Sequence, residues 1–398
     1  MNVLYLSRAI FPSGATHTLS IMRMCQALAD SGHRVALSGR EGTGASSPDL
    51  FESYGVRGTF DVHLFKIVRW LDNRFGRRLF LPSLALALRS HRLFRTFKPD
   101  LIYSRLTLLE LLAVPKHLPL VFEMHNLGHA GQPTLEGRLF RWIMGRKNVV
   151  RVVVTTNALK HHLQPIFPDQ DIQVARLSAE HPQAIADDEL TRFRDANLRG
   201  KQFTQHVGYT GYLDDFGLRG TDIICQTASL TPHAAFHIVG GEPDKVAHWR
   251  DYAKDYNQHR NIFFYGHRNP SQMPHFLSCF DVVLAPLQLR TAPHAPDGLN
   301  MSPLKIPQYM SFAKPIVASD LIAHRELLEH DRTALLVEAS NPRAWSEAIS
   351  RLLADNKLGA RLAEAARAAY LAEFTPEQRI QRILNGVPAL NRGLAPGA

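Results

Sequence analysis

The sequence has few cysteines, no long apolar run and no basic segment before its first apolar stretch, and each absence argues against a class of protein. The three cysteines among 398 residues, Cys25, Cys225 and Cys279, lie far apart, so neither a disulfide framework nor a cysteine-rich zinc site is predicted. No apolar run reaches about 18 residues, the length that a membrane-spanning helix needs. We therefore expect a cytoplasmic protein without a secretory signal.

Nucleotide-binding fingerprints and metal-binding patterns are absent as well. The chain contains neither a Gly-x-Gly-x-x-Gly string nor a P-loop, so dinucleotide binding and ATP hydrolysis are not supported. One Asp-x-Asp string, Asp169 to Asp171, precedes a predicted strand and is interpreted as a polar loop. Asp214 and Asp215 are interpreted as a solvated turn rather than as metal ligands. We expect no metal ion and no cofactor.

Positive charge is concentrated in the first part of the chain. The net charge is +10, and residues 1–150 hold 20 Lys and Arg against 10 Asp and Glu. Within them, the segment 64–98 interleaves aromatic residues with nine basic ones: Lys66, Arg69, Arg74, Arg77, Arg78, Arg89, Arg92, Arg95 and Lys98. This composition fits an interfacial helix on an anionic membrane surface, and it fits equally a solvated helical face whose aromatics point into the core. Nucleic acid is disfavoured as a partner because no nucleic-acid motif accompanies the charge.

Short apolar strands alternate with helices, a pattern typical of parallel βαβ units. In the first half the predicted strands are 2–7, 34–39, 100–104, 120–125 and 152–156, with a helix at 16–32 and a mobile loop at 41–60. In the second half the predicted strands are 206–211, 234–240, 261–266, 281–287, 314–319 and 334–338, and the predicted helices are 221–230, 342–372 and 376–385. The sequence thus predicts an α/β protein with two Rossmann-like domains.

A polar stretch separates the two alternations. We place the first domain at 1–182, a linker at 183–204, the second domain at 205–374 and a carboxy-terminal helix, crossing back to the first domain, at 375–398. Ligands of such folds bind at the carboxyl ends of the strands, so a cleft between the domains is the expected site.

Loops at the predicted strand ends carry the candidate binding residues. The first loop brings Gly14, Ala15, Thr16 and His17 to a helix amino terminus, where free N–H groups favour an anion; His17 alternatively is a surface cap residue. In the second half, the glycine-rich loop 208–220 carries Arg219, which suits a diphosphate.

The segment 298–319 holds the densest set of polar candidates. A loop with Asn300 and Ser302 runs into a helix near Leu304, so that N–H groups can face a phosphate. Lys305 adds a positive charge there, and Gln308, one turn on, can hydrogen-bond a ribose hydroxyl; alternatively both are surface residues of a capped helix.

Three stretches, taken in order, resemble one known family. They are FPSGATHTLSIMRMCQALADSGHRVAL at 11–37, NIFFYGHRNPSQMPHFLSCFDVVLAPL at 261–287 and SPLKIPQYMSFAKPIVAS at 302–319. They are similar to the GT-B glycosyltransferases, in particular the large retaining family 4 type that includes bacterial transferases for capsule, exopolysaccharide and lipopolysaccharide sugars. The resemblance implies a GT-B fold, with two Rossmann-like domains and their parallel sheets facing across a cleft, and a nucleotide-sugar donor bound in the second domain.

By motif position, the resemblance implies roles for residues of the donor half. Gly211, Tyr212 and Arg219 would line the donor diphosphate pocket, with Tyr212 standing where an arginine is usual. Lys305 would contact phosphate, and the amides beginning at Leu304 would cap it.

Two positions depart from the family pattern. The family's paired glutamates fall here on Asn300, at the donor sugar, and on Gln308, at the ribose. Both amides still accept hydrogen bonds but bind hydroxyls less strongly than carboxylates do.

In the first half, His125 occupies the position of a family histidine near the transferred sugar; alternatively it is a satisfied histidine at a strand end. Glu123 is expected to face the other side of its strand. Gly14 is assigned to the donor phosphate, Ala15, Thr16 and His17 to the acceptor side, and Arg268 to the donor base.

The leading interpretation is a metal-independent, retaining glycosyltransferase at the inner face of the cell membrane. It would move a hexose from a nucleotide-diphosphate sugar, UDP favoured over GDP, to a lipid-linked or polysaccharide acceptor. The alternatives are a catalytically weak binding subunit, indicated by the missing glutamates, and a GT-B epimerase or hydrolase acting on sugar nucleotides.

Overall fold

The computed structural model describes residues 1–13, 16–42, 47–66, 81–105, 111–128, 130–214, 217–288 and 304–388. The chain forms two compact units, one from Met1–Arg176 together with the segment that begins at Pro376, the other from Leu177–Thr375. None of the described helices is long and apolar enough to cross a membrane.

The first unit is built on a seven-stranded parallel sheet. Its strands are β1 Asn2–Phe11, β2 Arg34–Glu41, β3 Asp61–Phe65, β4 Leu101–Ser104, β5 Leu120–Met124, β6 Val149–Val154 and β7 Ile172–Val174, in the order β3-β2-β1-β4-β5-β6-β7. The helices between them are α1 Thr16–Asp30, α2 Ser47–Tyr54, α3 Leu81–Thr96, α4 Leu135–Met144 and α5 Asn157–Leu163.

The second unit repeats this architecture with six parallel strands. They are β8 His206–Thr210, β9 Ala235–Val239, β10 Ile262–Gly266, β11 Val282–Ala285, β12 Ile316–Ser319 and β13 Leu335–Val337, in the order β10-β9-β8-β11-β12-β13. Its helices are α6 Asp187–Asn197, α7 Thr221–Leu230, α8 Pro243–Ala253, α9 Met273–Ser278, α10 Lys305–Ser311, α11 Ile322–Arg325, α12 Pro342–Ala354 and α13 Asn356–Glu373, with a 3₁₀ turn at Pro270–Gln272. Two wholly parallel sheets confirm the predicted pair of Rossmann-like domains.

Each sheet is buried on both faces because successive strand residues point to opposite sides. In β1, Val3 and Tyr5 join one apolar core while Leu4 and Leu6 join the other. In the second unit, β11 divides its residues between the two cores in the same way. The strands are therefore near-continuous apolar runs, which is the signal that made them predictable.

The last described helix, α14 Pro376–Leu384, belongs to the first unit. Ile380, Ile383 and Leu384 lie in the same core as α1 and β1. Arg151 of β6 donates hydrogen bonds to the carbonyl oxygens of Ile383 and Asn385, each at 2.8 Å, and so satisfies the carboxyl end of the helix.

Three segments differ from the sequence expectation. Residues 183–204, expected as a linker, lie in the second unit and contain α6, whose Phe193 packs edge-on against Phe276 with ring centroids 5.0 Å apart. The expected mobile loop 41–60 contains α2, which is anchored through buried Leu50 and Tyr54. The single helix expected at 342–372 is two, because Asp355 caps the N–H groups of Lys357 and Leu358 and starts α13.

Candidate functional site

Glycine backbone forms the carboxyl ends of β8, β9 and β10. Gly211 N–H donates to the Val239 carbonyl at 3.0 Å, and Gly240 N–H donates to the Gly266 carbonyl at 2.9 Å. A Cβ on Gly240, whose φ is 125°, would lie 2.0 Å from the Gly211 oxygen, so this approach requires glycine. Gly211 was predicted from the sequence and Gly240 was not, although a Gly-Gly pair ending a strand is a signal of close backbone approach.

Lys305, the first residue of α10, projects over this glycine backbone. Its Nζ lies 3.7 Å from the centroid of the Tyr209 ring, a cation–π contact, and the Tyr209 hydroxyl donates to the Tyr212 carbonyl at 3.0 Å. A Cβ on Gly211 would come within 3.2 Å of Lys305 Nζ. Glycine at this position therefore leaves the space in which the ammonium group sits.

A second cation lies close to Lys305. Arg219 belongs to the loop between β8 and α7, and Asp214 organises that loop by accepting the N–H groups of Leu218 at 2.9 Å and Arg219 at 2.8 Å. Asp214 thus organises this loop rather than being simply solvated. Burial, together with the positive charge of Arg219, holds the pKa of Lys305 well below its usual range, and Asp214 opposes this only in part. An anion bound here would relieve the repulsion between the two cations.

The remaining candidates of the second unit lie near the start of α10 or directly after a strand. Leu304 directly precedes α10, and half-buried Gln308 lies one turn into it. The next residue, Tyr309, accepts the Thr210 N–H at 3.0 Å and fixes α10 to β8. Arg268 follows β10, and its Nε is buried without a hydrogen-bond partner among the described residues. Tyr212 is 53% exposed.

Some predicted positions lie outside the described residues. These are Gly14, Ala15, Asn300 and Ser302. Thr16 is the first residue of α1, although its side chain is not among the described ones, and His17 follows it in the helix. In the described part of the chain, no three His, Cys, Asp or Glu side chains converge on a metal-sized site.

His125 in the first unit is held by a buried carboxylate. It follows the last residue of β5, and its Nε2 lies 2.5 Å from Glu123 Oε1. Glu123 also accepts from the Tyr103 hydroxyl and, at 2.9 Å, from Arg379 Nη2 of α14. The expectation that Glu123 faces away from His125 is wrong, because residues two apart on a strand share a face.

The pKa values of Glu123 and His125 are both lowered. Burial raises the pKa of Glu123, but Arg379 and His125 outweigh it and hold the pKa well below the usual range. Burial also lowers the pKa of His125, only partly offset by Glu123. At neutral pH the site therefore contains a carboxylate and a neutral imidazole whose ring orientation the carboxylate fixes.

Two family models match the chain in succession. The model described as Glycosyltransferase Family 4 matches residues 18–176, and the model described as Glycosyl transferases group 1 matches residues 204–355. Together they span most of both units. The chain is a glycosyltransferase that combines these two family domains. A search of curated proteins found no match.

Solved structures share the fold of this glycosyltransferase at low sequence identity. Anabaena HepE, crystallised with UDP, is 18% identical, with a TM-score of 0.73 over 98% of this chain and 100% of that one. A glycosyltransferase from Rickettsia africae is 15% identical, with a TM-score of 0.73 over 97% and 99% of the two chains. WaaG, a glycosyltransferase involved in lipopolysaccharide biosynthesis, is 15% identical, with a TM-score of 0.63 over 96% and 100%.

Within this glycosyltransferase, the predicted residues form two groups. Gly211, Tyr212, Arg219 and Lys305 lie together at the strand ends of the second unit. His125 lies with Glu123, a residue for which the sequence predicted no role at the site, at a strand end of the first unit. The first group can stabilise a diphosphate, and the second offers a neutral imidazole held in one orientation.

Proposed function

We propose that this enzyme transfers a hexose from a UDP-sugar to a hydroxyl of a lipid-linked or polysaccharide acceptor during synthesis of a bacterial cell-surface glycan. The observation that carries the proposal is the pair of cations, Lys305 over the Tyr209 ring and Arg219 beside it, on a glycine-lined strand end. This is an arrangement for a diphosphate that gains negative charge.

The chemistry follows from that gain of charge. The bond from the anomeric carbon to the diphosphate oxygen breaks, and the acceptor oxygen bonds to the same carbon from the same face. The acceptor proton passes to the departing phosphate. Lys305 and Arg219 stabilise the leaving group without a metal ion, each fixed donor lowering the barrier by about 3–4 kcal/mol. Neutral His125 can hydrogen-bond the sugar without adding repulsion to the positively charged ring of the transition state.

Uracil is the proposed donor base. UDP and UDP-glucose are the ligands named for crystals of HepE, which shares the fold along nearly the whole chain. Arg268, with its buried Nε, is the proposed base contact. Asn300 and Gln308 would take the donor sugar and the ribose through amide oxygens.

We assign binding of the acceptor to the first unit. Its positive charge suits the anionic inner leaflet, where lipid-linked acceptors are held. WaaG, which shares the fold, is named as acting in lipopolysaccharide biosynthesis. We therefore propose peripheral attachment to the cytoplasmic face of the membrane.

The donor assignment is tested by calorimetric titration with UDP, GDP, ADP and CMP. We expect UDP to bind in the micromolar range, binding to be lost in Lys305→Ala, and turnover to fall at least about a hundredfold. Lys357→Ala, on an exposed face of α13, makes the same change away from the site and should bind UDP as the wild type does. Because a diphosphate requires protonated Lys305, UDP affinity should also fall as pH rises through the lowered pKa of this residue.

Full activity in folded Lys305→Ala protein would remove the assignment. A chain that binds none of the four nucleotides would instead be the weak binding subunit that Asn300 and Gln308 indicate.

A further inference from the structure

A second basic site lies at the strand ends of the first unit. It is a cavity of about 360 Å³, within the range of small-molecule pockets. Arginines from three adjacent strand ends line it: Arg8 of β1, Arg40 of β2 and Arg105 directly after β4. Ser7, Ser13 and His17 complete its polar lining, and none of the described lining residues is acidic.

An irregularity in β1 opens this cavity. Between the pairs Leu6–Ser38 and Ile10–Arg40, β1 advances four residues while β2 advances two. The extra residues interrupt the ladder, and Ser7 Oγ accepts the N–H of Ala9 at 3.1 Å instead. Bulges of this kind commonly aim side chains into a site, and here the bulge brings Arg8 to the cavity wall.

Hydrogen bonds fix the far wall of the cavity. The Tyr54 hydroxyl of α2 accepts the Ser13 N–H at 2.7 Å and donates to the Ser13 carbonyl at 3.0 Å. Thr18 donates to that carbonyl at 3.1 Å. The wall is therefore shaped before any ligand arrives, which lowers the entropy lost on binding.

Arg105 connects this cavity to the histidine site. Burial lowers the pKa of His17, which lines the cavity with Arg105, and the positive charge of Arg105 adds to this effect. Burial is also the main cause that lowers the pKa of His125, and Arg105 acts in the same direction there. An anion held by Arg105 would therefore offset a positive charge that acts on both histidines.

We infer that this cavity binds a phosphate or diphosphate group of the acceptor. Three guanidinium groups on one cavity, with no acidic side chain among its described lining residues, match an anion with several oxygens, because each guanidinium offers a rigid fork of donors. The inference rests on the proposed function, since the donor diphosphate has its own cations, Lys305 and Arg219, in the second unit. A phosphate-bearing acceptor is either a lipid diphosphate or a soluble sugar phosphate, and the two share this chemistry.

The experiment is a calorimetric titration of the full chain with inorganic pyrophosphate. It is run with excess UDP present and again in Lys305→Ala protein, so that pyrophosphate in the donor site does not contribute. We expect binding that weakens at least tenfold in Arg40→Gln and in Arg105→Gln, with UDP affinity changed less than twofold. Arg34→Gln is the matched control, because Arg34 lies at the opposite end of the same strand and should leave pyrophosphate binding unchanged.

Two results separate the inference from the proposed function. Normal UDP binding without Arg40-dependent pyrophosphate binding overturns the inference alone. Arg40-dependent pyrophosphate binding without UDP binding contradicts the donor assignment alone.

Two further probes distinguish the sources of the phosphate. Farnesyl diphosphate binding more tightly than pyrophosphate identifies a lipid acceptor, and glucose 1-phosphate binding more tightly identifies a soluble one. Farnesol binding as tightly as farnesyl diphosphate would overturn the inference, since the phosphate would then contribute nothing.

Discussion

At the residue scale, Glu123 organises the histidine site although its side chain is buried. Three donors surround it, from Tyr103, His125 and Arg379. Arg379 is itself buried and also donates to the carbonyls of Ala175 and Arg176, each at 2.7 Å. An ion pair in this setting adds little net stability over an apolar pair, but removing one partner leaves a buried charge uncompensated.

Glu123→Gln should therefore destabilise the first unit by about 3–5 kcal/mol at pH 7. The loss is measured as the free energy of unfolding in urea, followed by circular dichroism. Glu52→Gln, an exposed carboxylate on α2, is the matched control and should change stability by less than about 0.5 kcal/mol. Equal stability of the two variants would show that Arg379 is satisfied by its carbonyl partners alone.

The same substitution has a defined pH dependence. The pKa of Glu123 in the folded protein lies well below its usual value near 4.3, so its stabilising contribution is complete above that usual value. The contribution is lost as pH falls through the folded pKa. The stability difference between wild type and Glu123→Gln should therefore be constant from about pH 6 to 7 and shrink only below about pH 4.

Single residues of the site differed in how far the sequence could predict them. Lys305 was predictable because its motif combines a loop, a helix start and a cation within a few residues. Gly240 and Glu123 were missed although each has a local signal: the Gly240–Gly241 pair follows β9, and Glu123 stands two residues before His125. What the sequence could not show is the partner that constrains each residue. Gly240 is constrained by the Gly211 carbonyl, and Glu123 is fixed by Arg379, 256 positions away.

At the element scale, strands and most helices followed from apolar periodicity, whereas α2 and α6 did not. Both helices depend on a small number of anchors, such as Tyr54 and Phe193, that pack on neighbouring elements. Their sequences alone are compatible with loops. The register irregularity of β1 was equally hidden, because no sequence pattern in Ser7–Ile10 marks it.

Helix α14 contributes buried apolar side chains and the charge of Arg379 to the first unit. Substitutions on its apolar face test how much this packing contributes to stability. Ile383 is fully buried beside α1 and β1, so Ile383→Ala should cost about 2–5 kcal/mol through lost burial and the cavity left behind. Gln381→Ala, on the exposed face of the same helix, should cost less than about 0.5 kcal/mol. Thermal unfolding of both variants measures this, and a harmless Ile383→Ala would mean that α14 is not part of the cooperative unit.

At the scale of the whole molecule, the structure explains in part how the positive charge of the first part of the chain is displayed. Leu93 of α3 and Phe97 just after it are buried in the core, and Phe94 of α3 and Phe65 at the end of β3 pack against that core. The aromatics that the structure describes there thus serve the core. Arg89, Arg92 and Arg95 are exposed, as are Leu88 and Lys98, while residues 67–80 of the basic segment lie outside the described range.

An exposed arginine face predicts electrostatic attachment to a membrane rather than insertion of aromatics. Each Arg near an anionic surface contributes about 1 kcal/mol, so the triple variant Arg89→Gln, Arg92→Gln, Arg95→Gln should bind phosphatidylserine vesicles roughly a hundredfold more weakly than wild type. Binding should also weaken as salt rises, because exposed charges are screened within about 10 Å at 0.1 M. The measurement is vesicle co-sedimentation over a salt series.

The matched control removes the same charge from the second unit. Arg343, Arg351 and Arg361 are exposed there, and their triple change to Gln should leave vesicle binding unaltered. Equal loss in both triple variants would show that only net charge matters, and binding to duplex DNA as tight as to vesicles would return nucleic acid as the partner. Loss confined to the α3 variant would assign membrane attachment to the same unit that carries His125 and the arginine cavity, so that the unit proposed to hold the acceptor would also hold the membrane.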